Sequence, residues 1–323
     1  MPVLFGVVIV TFLMLRLIPG DPVLFMLSTH ATQAQIDQLR RQLGLNLPIW
    51  AQFWHYLDGL VHGNLGTSYV SDTPVRDEIF GRLPADIELI LASLVVALLV
   101  GLTQGWVAAR WRGRAPDRVV RAVVSLEQSF PDFVVGLLLI YLLFFRLHLL
   151  PSPTGQLAIT ETAPTKITGM IVLDALLRGE WSTFGDALAH LVLPAVSLGL
   201  VLSAIFAKVV RSALSTELAA PQIEFARACG LRERRVTHYA WTVVRTPFLT
   251  YVAIVVGTLL GGTAIIEKVF DWNGVAQWGI ASITQLDLPA TEGFIVVLGV
   301  ATVFIYLALD VIVILLDPRV RAS

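Results

Sequence analysis

The chain has 323 residues, of which 56% are hydrophobic and only 15% are charged, and its mean hydropathy is +0.75. Globular chains carry about 25% charged residues, so a soluble core cannot absorb this much apolar surface. The composition excludes a disordered chain, a secreted disulfide scaffold and a nucleic-acid binder. The single cysteine, Cys229, can form neither an internal disulfide nor a multi-cysteine metal site.

Six apolar segments are long enough to cross a bilayer, which takes about 20 residues for about 30 Å of hydrocarbon. Backbone groups in lipid must be satisfied within the segment, so each segment is predicted to be a helix. No basic residues precede the first one and no small-residue cleavage site follows it, so we interpret it as a retained helix. Because it is short, we expect the natural chain to begin upstream of Met1. The segments are 2–18, 87–109, 122–145, 187–207, 247–266 and 294–316.

Arginine and lysine are distributed unevenly between the loops. Positive residues close to spans stay on the cytoplasmic side, and 14 of the 23 basic residues fall on one side, against eight in the opposite loops. Both termini are therefore predicted to be cytoplasmic. The 14 residues are Arg110, Arg112, Arg114, Arg118, Arg121, Lys208, Arg211, Arg227, Arg232, Arg234, Arg235, Arg245, Arg319 and Arg321.

This topology divides the chain into a first transmembrane helix, an external region, a transmembrane core and a cytoplasmic tail. Their predicted ranges are 1–19, 20–86, 87–316 and 317–323.

Local signals predict some structure in the external loops. Thr32 and Gln35 have the spacing of a capping box, and Gly44 can end the helix that they begin. The 147–186 loop is rich in proline and glycine, so we expect little regular structure there.

The motifs of common catalytic sites are missing from the sequence. No glycine precedes a lysine, which excludes a GxxxxGK[ST] phosphate-binding loop. The six histidines never occur at HExxH spacing, and no GxSxG sequence is present. We therefore predict neither a catalytic residue nor a metal site.

The loop 208–246, between the fourth and fifth spans, contains a short predicted helix. Pro221 suits a first helical position, Glu224 favours the first turn, and Gly230 suits the left-handed position after the end. Judged by charge alone, the same loop fits equally well as a basic segment lying on anionic lipid headgroups.

The sequence of this helix adds a more specific signal. Glu224, Ala226 and Gly230 fit the EAA loop, in which Glu-Ala-Ala is followed after three residues by Gly, although Phe225 stands in place of one of the two Ala residues. This pattern resembles the permease subunits of bacterial ABC importers. Seven fragments in chain order are similar to their dipeptide, oligopeptide and nickel (DppB/OppB-like) subfamily. They are 16–22 RLIPGDP, 63–68 GNLGTS, 82–85 RLPA, 190–194 HLVLP, 225–231 FARACGL, 267–274 EKVFDWNG and 316–319 LDPR.

The resemblance implies an all-α integral membrane protein of the ABC importer type I permease fold. The fold would have six transmembrane helices. An external region would follow helix one, and a cytoplasmic coupling helix would lie between helices four and five. In that family this helix docks into the ATPase subunit. The implied coupling residues are Glu224, Phe225, Ala226, Arg227, Ala228 and Gly230.

The resemblance also implies a function and its partners. The chain would be a transport subunit in the bacterial cytoplasmic (inner) membrane, most simply for di- or oligopeptides, and not an enzyme. It would bind no cofactor, because ATP and Mg belong to two partner ABC ATPase subunits. Its other partners would be a second homologous permease, which completes the pathway, an extracytoplasmic solute-binding protein, and membrane lipid.

Ionisable groups at membrane depth are candidates for the transport pathway. Glu127, Ser129 and Asp132 lie in the third span beside Pro131, and a carboxylate there favours a positively charged part of a substrate. The alternative is that these groups bond an adjacent helix, or that Pro131 opens a wet pocket. The Gly261-Gly262 pair in the fifth span is predicted to pack against a neighbouring helix.

Two other classes of function remain as alternatives. A secondary transporter driven by an ion gradient predicts broken helices repeated in two halves, and the sequence shows no such repeat. An intramembrane enzyme or assembly factor needs a convergent nucleophile or metal set, which the spans lack. The cargo stays open among peptide, nickel chelate, glutathione-like thiol and sugar.

Overall fold

The computed structural model describes residues 2–17, 23, 24 and 32–316, and the predicted tail 317–323 lies outside them. Regular structure in these ranges is helical, apart from an isolated bridge between Thr67 and Pro74. Residues Ile140–Arg146 continue α6 as π-helix. The helices are α1 Pro2–Leu17, α2 Gln33–Gln42, α3 Ile49–Val61, α4 Val75–Arg110, α5 Ala115–Glu127, α6 Asp132–Leu139, α7 Ile171–Arg178, α8 Trp181–Glu217, α9 Pro221–Ala228, α10 Glu233–Gly262, α11 Ala264–Val269, α12 Val275–Thr284 and α13 Leu288–Leu316.

In the described part of the chain, four helices are long and apolar enough to cross a membrane. They overlap the second, fourth, fifth and sixth predicted segments. The apolar helix at the N-terminal end, Phe5–Leu17, is shorter. The four are Val75–Arg110, Trp181–Glu217, Glu233–Leu259 and Leu288–Ala308.

The third predicted segment is not one straight helix. Helix α5 ends at Glu127 and α6 begins at Asp132, and the two are bent by 98°. Pro131 explains the break, because it lacks an N–H group and pushes the residue before it out of the helical region. The prediction of a continuous helix over 122–145 is therefore wrong.

The 147–186 loop contains more regular structure than its proline and glycine content predicts. Helix α7 forms within it and ends at Gly179, whose φ of +70° is the left-handed conformation that glycine adopts easily. Asp174, on α7, accepts hydrogen bonds from the backbone N–H groups of Ile167, Thr168 and Gly169 at 2.8 to 3.0 Å. This buried carboxylate ties the preceding turn to the helix, a contact that composition does not reveal.

The chain divides into two compact units, residues 1–84 with 273–303 and residues 85–272 with 304–323. In the first unit, Arg16 pairs with Glu292 at 2.5 Å and lies over the ring of the fully buried Phe12. This pair therefore fastens α1 to the beginning of α13.

A second contact in the first unit involves Asp287, the residue just before α13. Asp287 accepts a hydrogen bond of 2.5 Å from the Ser68 hydroxyl and another from the backbone N–H of Tyr69 at 3.1 Å. The turn before α4 is thus held against the N-terminus of α13.

The second unit is organised around α8, which contacts α5, α6, α7, α10 and α11. Helix α4 also approaches it closely, because glycines remove the side chains between them. A Cβ atom on Gly101 would lie 2.6 Å from the Ser203 carbonyl oxygen, and one on Gly199 would lie 2.6 Å from Val96 Cβ. Such small-residue contacts let backbones pack directly in a membrane helix pair.

Candidate functional site

Helix α9 has the ends that the sequence predicts. It begins at Pro221, and Gly230 follows its end with φ +77°. The Gly230 N–H donates to the Arg227 carbonyl at 2.9 Å, and the Leu231 N–H donates to the Ala226 carbonyl at 3.2 Å. This pair of bonds is the Schellman motif, which satisfies carbonyls that the helix itself leaves unpaired.

One face of α9 packs on its own subunit. Ile223 is buried there against Leu214 of α8 and Val236 and Val244 of α10, and Ala226 packs against the same cluster. Ala226, one of the implied coupling residues, thus packs against its own subunit and is only partly exposed. The small residue lets α9 lie close to the ends of α8 and α10.

The outward face of α9 presents an aromatic ring. Phe225 is 71% exposed, and Glu224 and Ala228 are exposed beside it. A large apolar side chain held in water on a rigid helix is typical of a surface that binds another protein. Among the sequence-predicted residues, Phe225 is therefore the large apolar side chain that is accessible to a partner.

Arg227 fixes the position of α9 in the loop. Its Nε donates to the Glu233 carboxylate at 2.9 Å, and its Nη1 donates to the Leu218 carbonyl at 3.1 Å. The same carboxylate lies 3.9 Å from Arg110 at the end of α4. Glu233 is the first residue of α10. It therefore connects α9 to the start of α10 and to the end of α4, and the sequence reasoning missed it.

The pathway candidates divide into two places. Glu127 accepts a hydrogen bond of 2.7 Å from Gln104 on α4 and one of 3.4 Å from Ser203 on α8. Ser129 instead donates to the Ser125 carbonyl at 2.7 Å, and Asp132 accepts from the Phe133 N–H at 2.7 Å. Glu127 therefore bonds adjacent helices, as the alternative to a pathway role predicts. Asp132 is half-buried, and its bond in the described part of the chain is local.

Gln104 and Ser203 are the partners that sequence reasoning missed. Both lie in apolar segments, Gln104 at 23 residues and Ser203 at 76 residues from Glu127 along the chain. The one signal for them is that each is a polar residue within a membrane span, where unpaired polar groups are costly.

Comparison with known proteins gives the family. The description "Binding-protein-dependent transport system inner membrane component" matches residues 101–322, and the N-terminal description of such membrane components matches residues 1–90. The chain belongs to this family of inner membrane transport components. It is therefore a multi-pass membrane permease subunit of a binding-protein-dependent importer, and not an enzyme.

Several relatives match this permease over nearly its whole length. The probable D,D-dipeptide transport system permease protein DdpB of Escherichia coli K12 is 39% identical over 98% of this chain and 93% of its own. The di/tripeptide permease DppB of Pseudomonas aeruginosa UCBPP-PA14 is 35% identical over 99% of this chain and 95% of its own. The glutathione permease GsiC of Escherichia coli K12 is 31% identical, also over 99% and 95%.

A solved structure shares the fold of this permease. The inward-facing MetNI methionine ABC transporter superposes with a TM-score of 0.51 at 18% identity, over 72% of this chain and 93% of that chain. The likeness confirms an ABC importer permease fold, as the resemblance implies.

Proposed function

We propose that this permease forms half of the translocation pathway of an ATP-driven importer for short peptides. The observation that carries the proposal is the near full-length identity of 39% and 35% to permeases whose names specify D,D-dipeptide and di/tripeptide transport. Glutathione, named for a third relative, is itself a small peptide thiol. A secondary transporter driven by an ion gradient is not favoured, because the family depends on a binding protein.

The proposed complex contains a second homologous permease, two ABC ATPase subunits and an extracytoplasmic solute-binding protein. ATP and Mg would reside on the ATPases, and this chain would bind no cofactor. A chain without an ATP site moves cargo only if the nucleotide cycle of another subunit shifts its inward/outward equilibrium.

The proposed topology has six spans and two cytoplasmic termini. The four long helices, the bent pair α5–α6 and the shorter α1 would supply the six crossings. The excess of arginine and lysine in the loops that follow the second, fourth and sixth spans supports this orientation.

Coupling is proposed to pass through α9. Phe225 would enter a groove of the ATPase, flanked by Glu224 and Ala228. The Schellman motif at Gly230 and the bonds of Arg227 would keep α9 rigid, so that motion of the ATPase moves α8 and α10 through their shared apolar cluster.

Uptake in a host without its own peptide importers tests the cargo. The chain is expressed with its partner subunits, and uptake of a labelled dipeptide is compared with uptake of labelled nickel and of a sugar. We expect dipeptide uptake that disappears when the ATPase carries a Walker-motif substitution. Nickel or sugar uptake without dipeptide uptake would contradict the proposed cargo.

Substitution of Phe225 tests the coupling surface. Phe225→Ala should lower both ATPase co-purification and uptake by at least about tenfold, since central aromatic anchors contribute about 2 kcal/mol or more to binding. Phe145→Ala is the matched control, because Phe145 is 66% exposed on the π-helical segment. Equal effects of the two substitutions would contradict docking through α9.

Asp132 tests the pathway hypothesis separately. Asp132→Asn removes a negative charge at the start of α6 without changing its size. If Asp132 faces the pathway, uptake of lysine-containing dipeptides should fall relative to neutral ones. An unchanged ratio would assign Asp132 a structural role.

A further inference from the structure

A cavity of about 370 Å³ lies between α4, α5 and α8, and its lining contains neither a residue of α9 nor Glu127. One part of its lining is apolar and another part carries cations and hydroxyls. The apolar lining residues are Ala108, Val120, Val124 and Ala207. The polar ones are Arg121, Ser125, Lys208, Arg211 and Ser212.

The charges at this cavity do not balance. Arg211 donates two hydrogen bonds, of 2.7 and 3.1 Å, to the buried carboxylate of Asp117, and Arg121 lies 3.5 Å from the same carboxylate. Lys208 donates to the neutral amide of Gln128. Three cations line the cavity and Asp117 offsets the charge of one of them, which leaves two positive charges in excess.

The cavity lies where the apolar part of α8 ends. The apolar segment 187–207 spans about 31 Å at 1.5 Å per residue, close to the thickness of the hydrocarbon core. Lys208 is the first charged residue after it, so Lys208 falls at the level of the lipid headgroups. Ala207 comes directly before Lys208, and Ala108 comes two residues before Arg110. Both alanines therefore lie at the edge of the hydrocarbon.

Helix α5 continues this two-sided character outside the cavity. Val119, Val123 and Leu126 recur at helical spacing and are 61%, 41% and 60% exposed. An amphipathic helix with an exposed apolar stripe and basic residues beside it is typical of a helix that lies at the membrane interface. The stripe offers a surface for an acyl chain next to the cationic rim.

We propose that this cavity binds the phosphate headgroup of an anionic phospholipid from the cytoplasmic leaflet. Arg121 and Lys208 attract the phosphate, Ser125 and Ser212 offer hydroxyl donors, and the apolar lining receives the first part of an acyl chain. Basic pockets between membrane helices recognise anionic headgroups in this way. Free phosphate shares the anionic chemistry but gains nothing from the apolar wall.

Lipid titration of the full-length chain, purified with its partner subunits, tests the site. Phosphatidylglycerol is added in a phosphatidylcholine background, and bound lipid is counted by native mass spectrometry. The paired variant Arg121→Gln/Lys208→Gln should bind phosphatidylglycerol about 30-fold more weakly, because each cation near a headgroup contributes a factor of about five. Arg211 is kept, since it pairs with the buried Asp117.

A matched control removes the same charge elsewhere. Arg232→Gln/Arg235→Gln alters two exposed cations outside the cavity lining and should bind phosphatidylglycerol like the wild type. Ser125→Glu, which adds a negative charge to the rim and leaves the cations in place, should also weaken binding. Thermal unfolding in phosphatidylcholine alone should be unchanged for Arg232→Gln/Arg235→Gln and for Ser125→Glu, and should fall only slightly when Arg121 is replaced, because Arg211 still pairs with Asp117.

Several results would overturn the proposal. Equal weakening in both paired variants would indicate diffuse attraction to the basic surface instead of a site. Inorganic phosphate that stabilises the wild type in phosphatidylcholine as much as phosphatidylglycerol does would identify free phosphate as the ligand. A wild-type complex that binds no phosphatidylglycerol would mean that another occupant, such as the partner permease, fills the cavity.

Discussion

The indole Nε1 of Trp272 donates a hydrogen bond of 2.9 Å to the backbone carbonyl oxygen of Ala85, 187 residues earlier in the chain. Trp272 is 1% exposed and belongs to the main apolar cluster of its unit, together with Phe270 and Leu191. Two sequence fragments that point to the family, 82–85 and 267–274, therefore meet at this bond. The 147–186 loop is bonded here too, because Gln156 donates to the Trp272 carbonyl at 3.0 Å.

The Trp272 contact predicts a cost for a conservative substitution. Trp272→Phe removes the hydrogen bond and leaves unfilled volume in the cluster, so it should lower the free energy of unfolding by about 1 to 3 kcal/mol. Trp50→Phe should change it by less than about 0.5 kcal/mol, since Trp50 is 68% exposed on α3. Denaturation of the purified subunit, followed by near-UV circular dichroism, measures both. Equal losses would contradict a buried role for Trp272.

Glycine positions predict a second contrast. Gly101→Ala places a Cβ atom 2.6 Å from a backbone oxygen of α8 and should cost about 1 to 3 kcal/mol. Gly261→Ala meets no atom within 4 Å in the described chain and should be neutral or slightly stabilising, because alanine favours helices. Thermal inactivation of the purified complex compares them. A destabilising Gly261→Ala would show that a partner subunit packs there.

The glycine contrast also shows what the sequence could predict. The sequence predicts that the Gly261-Gly262 pair packs on a neighbouring helix, but a Cβ atom at either position would meet no atom within 4 Å in the described part of this chain. The contact is made instead by Gly101 and Gly105, which have GxxxG spacing, and by Gly199. The motif is visible in the sequence, whereas the helix that covers it is fixed only by tertiary packing.

Prolines give the same lesson about helix continuity. Pro84, Pro194 and Pro247 lie inside continuous helices, whereas Pro131 separates two helices bent by 98°. The sequence shows where each proline lies. It does not show whether neighbouring helices can bond the backbone carbonyl that the proline leaves without an intrahelical donor, and so does not show which proline breaks its helix. Capping was predictable for the opposite reason, since the capping box at Thr32 depends on residues within one turn.

Gly230 predicts which residues the end of α9 tolerates. Its φ of +77° is accessible to asparagine at modest cost but strains a β-branched residue, and a Cβ atom there would meet no neighbour. Gly230→Asn should therefore retain ATPase co-purification and uptake, whereas Gly230→Val should reduce both. Gly113→Val is the control, because Gly113 has φ +80° in another basic loop. A similar loss of co-purification in that control would remove the specific role of α9.

Asp174 predicts a pH dependence for the 147–186 loop. Burial raises the pKa of this carboxyl, but hydrogen bonds from Thr168, Ile167 and Gly169 lower it by more. The net effect is a pKa of about 2, below the ordinary value of 3.8. A lowered pKa in the folded state means that the ionised group stabilises the loop above pH 3.8, and that this stabilisation is lost as the pH falls through about 2.

Hydrogen exchange of the loop measures this stabilisation. After correction for the intrinsic pH dependence of exchange, protection of the 167–169 amides should be constant from about pH 8 to about pH 5. Asp174→Asn should lower protection throughout that range, and the difference from the wild type should shrink only below about pH 4. A difference that shrinks already near neutral pH would contradict the lowered pKa.

The bonds of Glu127 predict that it stabilises the helix bundle. Glu127→Leu leaves Gln104 Nε2 without this acceptor, which should cost about 1 to 3 kcal/mol, while the Ser203 hydroxyl keeps its bond of 2.7 Å to the Leu200 carbonyl. Adding Gln104→Leu should cost less than the sum of the two single changes, because each already breaks the shared bond. Glu127→Gln keeps one acceptor and should cost less than Glu127→Leu.

If Glu127 also faced the pathway, Glu127→Gln would change the preference for charged dipeptides at unchanged stability. We expect no such change, since both of its carboxylate oxygens are already directed to neighbouring helices.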